Sequence, residues 1–80
     1  MKTYYFETSV TYIDKIGKED KEFNEIFSHI IESENEGKAI VSAITKTIED
    51  FEREYYLSTF KSVCVKIEQF YETIDGARAD

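Results

Sequence analysis

Between Glu34 and Tyr55 the residues Ile40, Ile44, Ile48, Phe51 and Tyr55, flanked by Val41, Ala43 and Thr47, fall on one stripe at helical spacing. One amphipathic helix of about 22 residues covers a single face of whatever it packs on. The remaining chain must therefore supply a surface for that stripe, and two segments do so by alternation. In Thr3–Ile13, the residues Tyr4, Phe6, Thr8, Val10 and Tyr12 lie on one side and Thr3, Tyr5, Glu7, Ser9, Thr11 and Ile13 on the other. The run is rich in aromatic and β-branched residues, so it reads as a strand. Phe60 to Tyr71 alternates again, with Val63, Val65 and Ile67 on one face and Phe60, Cys64, Lys66, Glu68 and Phe70 on the other. It is the expected third strand.

The segment Glu22–Glu32 is ambiguous by period, because Phe23, Ile26, Phe27, Ile30 and Ile31 match one helical face. Ser33-Glu34-Asn35-Glu36 reads as a capping box that opens a helix at residue 34, and a helix ending at Glu32 would have no loop in which to turn. We therefore assign Glu22–Glu32 to a strand, with Phe23, Phe27, His29 and Ile31 facing one way and Ile26 and Ile30 the other. Asp14–Lys21, with Gly17 inside a charged cluster, supplies the turn of a hairpin. Strands of about eleven residues reach ~36 Å, and the helix reaches ~33 Å. The expected fold is α+β: a two-layer ββαβ domain over residues 1–75, with a three-stranded sheet and one long helix on one face, the third strand running parallel to the second. Residues 76–80 read as a flexible C-terminal tail.

At 80 residues and a net charge of −7, the chain repels a phosphate backbone, which makes direct nucleic-acid binding an unfavoured function. Its apolar runs fall short of the roughly 20 residues that span a bilayer, and the N-terminus lacks the apolar core of a signal peptide. The expectation is a cytoplasmic protein with no membrane partner. A single cysteine, Cys64, permits no internal disulfide and no Cys-based zinc site, and it reads as a small packing residue. His29, the one histidine, reads as a half-buried strand residue. With no phosphate loop, no paired-ligand spacing and no nucleophile–base ordering, no catalytic residue, metal ligand or cofactor is assigned.

The acidity is local. Residues 19–36 hold Glu19, Asp20, Glu22, Glu25, Glu32, Glu34 and Glu36 against Lys21 alone, which accounts for −6 of the total. These seven are the candidate partner-binding residues, an electrostatic lure for a basic surface, with a solvated edge strand as the plainer account. Six Tyr and six Phe exceed what a chain this short hides in one core. Tyr5, Tyr12, Tyr56, Phe60, Phe70 and Tyr71 are the candidate aromatic interface, and a homodimer through the uncovered sheet face or an edge strand is expected.

An aromatic first strand (Thr3-Tyr4-Tyr5-Phe6-Glu7), a turn, the stretch Ser28 to Ala39 leading into a helix, and the last strand Ser62 to Glu68 resemble small acidic ββαβ proteins encoded by phages and prophages, among them anti-defence inhibitors of the anti-CRISPR kind. The resemblance spans nearly the whole chain in pattern and size and carries over no functional residue. It implies a non-enzymatic interaction protein whose acidic surface occupies a basic, nucleic-acid-binding site of a host protein. The alternative is an oligomeric module that encloses a small ligand between aromatic side chains.

Overall fold

The alternating segments become neighbouring strands because their apolar faces can be buried only together. In a computed structural model that describes residues 1–74 with Ala77 and Arg78, strands β1 (Lys2–Ile16) and β2 (Glu19–Ser33) form a hairpin, followed by helix α1 (Glu36–Glu52). A 3-10 turn, Leu57–Thr59, then leads into β3 (Ser62–Ile74), and a two-residue strand, β4 (Ala77–Arg78), pairs with Thr73 and Ile74. The sheet order is β2-β1-β3-β4. Both β2 and β3 are antiparallel to β1 and hence parallel to each other, so the connection through α1 crosses over the central strand. This is the expected two-layer ββαβ arrangement. Of the tail expected at residues 76–80, Ala77 and Arg78 form β4, and the rest lies outside the described residues.

The hairpin is tighter and longer than its sequence suggested, because Ile16 pairs with Glu19 and only Gly17 and Lys18 remain to turn the chain. Gly17 does so at φ +65°, in the left-handed region that a side chain disfavours. Register places Tyr4, Phe6, Thr8, Val10 and Tyr12 opposite Ile31, His29, Phe27, Glu25 and Phe23, so the assignment of Glu22–Glu32 to a strand and the faces given to it hold.

The cap of α1 lies two residues beyond the expected Ser33. Ser33 is the last residue of β2 and is buried, and Asn35 caps α1 instead, its side chain accepting from the Lys38 amide at 2.9 Å. Asn is as good a cap as Ser, and its loss typically costs about 1 kcal/mol. The helix also begins later and ends earlier than the stripe suggests. Its buried line is Ala39, Ala43, Thr47 and Phe51, with Ile40, Ile44 and Ile48 at the flank. Small residues in that line let the helix backbone sit close to the sheet.

The alternation expected along β3 is broken inside the strand. Thr8 pairs with Ile67 but Glu7 pairs with Gln69, so Glu68 is an extra residue that shifts the alternation by one. Phe70 therefore lies beside Phe6 on the helix-covered face, stacked at 5.3 Å, and not with Cys64 and Lys66. Phe60 precedes the strand and packs on Tyr12, Phe51 and Tyr55. Cys64, expected to pack, is exposed on the uncovered face opposite Thr11.

Helix and strands are not matched in length. Fifteen residues of β1 extend ~50 Å, in keeping with the 49 Å long axis, while seventeen helical residues extend ~26 Å. The helix runs from Tyr4 and Phe6, which pack with Ala39 and Ala43, toward Val10 and Tyr12, which pack with Phe51. Beyond Tyr12 the hairpin projects past the end of the helix.

Candidate functional site

The end of the helix is where the rings gather. Tyr12 is buried at the centre of a cluster in which Phe23 stacks on it at 5.4 Å and Phe51, Tyr55 and Phe60 approach at 5.1, 5.6 and 4.7 Å. Three elements deliver them: Tyr12 and Phe23 are cross-strand partners in the hairpin, Phe51 lies in the last turn of the helix, and Tyr55 and Phe60 come from the connection to β3. Tyr55 is held there by its amide, which donates to the Phe51 carbonyl at 3.1 Å one turn beyond the helix.

Because the helix stops while the hairpin continues, the cluster is left open on one side as a depression of about 410 Å³, at the lower end of ligand-sized pockets. Its walls are Tyr12, Phe23, Tyr55, Tyr56 and Phe60, together with Thr59 and two carboxylates, Asp14 and Glu54. Among the described residues no basic side chain lines it. Asp14 and Glu54 have no ion-pair partner among the described residues, and although Lys21 stands opposite Asp14 in the ladder, no salt bridge joins them. The Tyr55 hydroxyl donates to Glu25 at 3.2 Å. Its pKa is pushed up to about 12, first by hydrogen bonding with Tyr12 and then by the negative field of Glu25, so it stays a neutral donor at any physiological pH.

The seven acidic candidates do not form one patch. Glu19 and Glu25 lie on the helix side of β2, whereas Asp20, Glu22 and Glu32 lie on the uncovered side. Glu34 and Glu36 sit at the helix start, near the other end of the molecule. Asp20 is held by Lys61 at 2.6 Å and Glu34 by Lys38 at 2.8 Å, and Glu36 is in the first helical turn, where the dipole favours it. Glu25, which accepts from the Tyr55 hydroxyl, is the member tied to the wall of the depression, and Glu19 and Glu22 belong to the same hairpin end but to opposite faces of it.

The aromatic candidates also divide. Tyr12, Tyr56 and Phe60 line the depression. Tyr5 and Tyr71 pair at 5.1 Å on the uncovered face, near exposed Ile26 and Ile30, while Phe70 stacks on the core. Asp14 and Glu54 were not singled out from the sequence. Asp14 continues the Tyr4-to-Tyr12 alternation by one step, and that signal was hidden by placing it in a turn.

His29 belongs to a second cluster with a different character. Thr47 donates to the Ala43 carbonyl at 2.8 Å and receives Thr8 at 2.6 Å and His29 Nε2 at 2.9 Å, which fixes the Nε2–H tautomer. Asp50 approaches His29 Nδ1 at 4.0 Å and also meets Arg53 at 3.4 Å. Acid, imidazole and hydroxyl thus stand in the order of a nucleophile relay, but Thr8 and Thr47 are fully buried and every hydroxyl is committed, so no substrate reaches them. The cluster is a polar bridge between helix and sheet that separates the apolar group around Phe6 from the one around Tyr12. Burial pushes the His29 pKa below 6.5, with Asp50 pulling it up and Lys46 lowering it further.

Among the described residues no three His, Cys, Asp or Glu side chains converge as a metal ion would require, and no helix is long and apolar enough to cross a membrane. No protein-family model matches the chain, and neither a curated protein nor a solved structure shows significant similarity to it.

Proposed function

We propose that this chain is a non-enzymatic protein-interaction module of the cytoplasm, an inhibitor of the phage or mobile-element kind, which seats its acidic hairpin end on a basic, nucleic-acid-binding site of a partner protein. The observation that carries this reading is the junction at the end of α1. There Asp14 and Glu54, neither of them ion-paired among the described residues, line a depression whose rings include Tyr56, 81% exposed, and Glu19 and Glu22, also without an ion pair among the described residues, stand at the same hairpin end on opposite faces of the sheet. Unpaired carboxylates steer a basic partner, and exposed Tyr supplies apolar area with a hydrogen-bonding tip. The proposal also places a second copy of the chain against the uncovered sheet face, where Ile26 and Ile30 are 54% and 69% exposed.

The test is capture of a partner by the intact chain at low and high salt, repeated with Glu19→Lys/Glu22→Lys. Association should weaken as the Debye length shrinks below about 10 Å, the double reversal should lose at least ~10-fold in affinity, equivalent to ~1.4 kcal/mol, and a nucleic acid should compete for the partner. Capture indifferent to salt and to reversal would refute this reading and favour the small-ligand module.

A further inference from the structure

We propose that the depression at the end of α1 is a receptor for one arginine side chain of a basic polypeptide, its guanidinium stacked on the lining rings and paired with Asp14 and Glu54. The inference rests on the interaction reading above and names its anchor.

Three observations select this occupant. The first is the lining itself: five aromatic side chains with two carboxylates and no cation. A neutral apolar guest would strip water from Asp14 and Glu54 and return nothing, which is costly for any charged group. An anionic guest, a nucleotide included, would meet the same carboxylates and be repelled. Only a cation gains from both parts of the wall, from the rings through their negative faces and from the carboxylates directly.

The second is that the carboxylates are not already satisfied. Asp20 and Glu34 carry their own lysines at 2.6 and 2.8 Å, whereas Asp14 and Glu54 have no ion-pair partner among the described residues. The third is the preorganisation of the wall. Tyr12 is 7% exposed and locked among four other rings, and the Tyr55 hydroxyl is tied to Glu25, so little ordering is left for a guest to impose. Arginine suits this wall better than lysine, because a planar guanidinium stacks on an aromatic face while its fork of donors meets a carboxylate. An ammonium is a compact point charge that cannot lie flat on a ring, and its stronger hydration costs more to remove when it approaches one.

The experiment titrates the intact chain with N-acetyl-arginine N-methylamide and follows the NMR signals of the depression. Parallel titrations use the lysine analogue and the citrulline analogue, in which a neutral urea of the same shape replaces the guanidinium. The expected result is a saturable shift at Tyr12, Tyr55, Tyr56 and Phe60, with citrulline at least ~10-fold weaker, as follows from losing a charge-assisted bond, and lysine weaker than arginine. Asp14→Asn with Glu54→Gln should weaken arginine by a similar factor. Tyr56→Ala, which removes a mostly exposed ring, should weaken it without unfolding the chain, as checked by circular dichroism. Equal binding of citrulline, or an unchanged affinity in the Asp14→Asn/Glu54→Gln variant, would overturn the proposal. So would shifts confined to Glu19, Glu22 and Glu32, which would report surface screening. The two readings fail separately. Loss of partner capture in Glu19→Lys/Glu22→Lys with no arginine signal at the depression rejects the anchor and keeps the module, whereas arginine seated in the depression supports the anchor whatever the capture assay returns.

Discussion

Thr47→Val replaces a buried hydroxyl by a methyl group of nearly the same shape and isolates what the polar bridge contributes. Thr47 Oγ1 serves three partners: the Ala43 carbonyl, the Thr8 hydroxyl and His29 Nε2. The carbonyl keeps its helical amide partner, but Thr8 and His29 lose theirs in a site where both are buried. Each stranded group costs about 1–3 kcal/mol, so the substitution should cost ~2–6 kcal/mol, a large share of the ~4–12 kcal/mol available to a chain of this length. With an m-value of about 1 kcal/mol/M, the urea midpoint should fall by at least ~2 M at about pH 7.5, where the imidazole is neutral. Thr47→Ser keeps the hydroxyl and loses one methyl, so it should cost only ~1 kcal/mol and stays measurable if the valine variant does not fold. Thr8→Val/Thr47→Val removes one of the stranded groups, so the pair should cost less than the sum of the single changes by ~1 kcal/mol or more. A valine variant within ~0.5 kcal/mol of wild type, or strict additivity in the cycle, would refute the bridge.

Two further outcomes are expected. His29 has a pKa below its usual 6.5 because burial disfavours the imidazolium, so the unfolded chain binds the proton more readily. Its contribution to stability is complete above pH 6.5 and is lost as pH falls from there toward the folded pKa; urea midpoints across this range should show the slope in wild type and lose it in His29→Gln, and an unchanged slope would mean another group titrates. For self-association, light scattering should return twice the 9.4 kDa chain mass and revert to one chain in Ile26→Glu/Ile30→Glu, with monomer at all concentrations excluding the pairing.

What the sequence determined by itself is what period and local chemistry dictate. Alternation in Thr3–Ile13 and around Val63–Ile67 specified strands and their inward faces, because successive side chains on a strand must point to opposite sides. The helical stripe specified one covering layer, and Gly17 marked the turn. The choice of strand for Glu22–Glu32 came out right although its supporting cap was misplaced: Ser33 and Asn35 are equally good caps in isolation, and only the pairing of Ser33 with Lys2 in the ladder removes Ser33 from contention.

Tertiary structure alone decided the rest, since each remaining feature depends on where two distant segments meet. Nothing local to Glu68 announces a bulge, because the extra residue exists only relative to the β1 ladder, yet it moves Phe70 from the open face to the helix-covered face, beside Phe6. Tyr12, Tyr56 and Phe60 could be singled out as aromatic residues, but not as neighbours; Glu54 carried no signal, and the alternation that Asp14 continues pointed to no site until the helix was seen to stop short of the hairpin end. The depression is the product of that mismatch, ~26 Å of helix on ~50 Å of strand, and a difference in length between elements is set by packing and cannot be read from the period of either one.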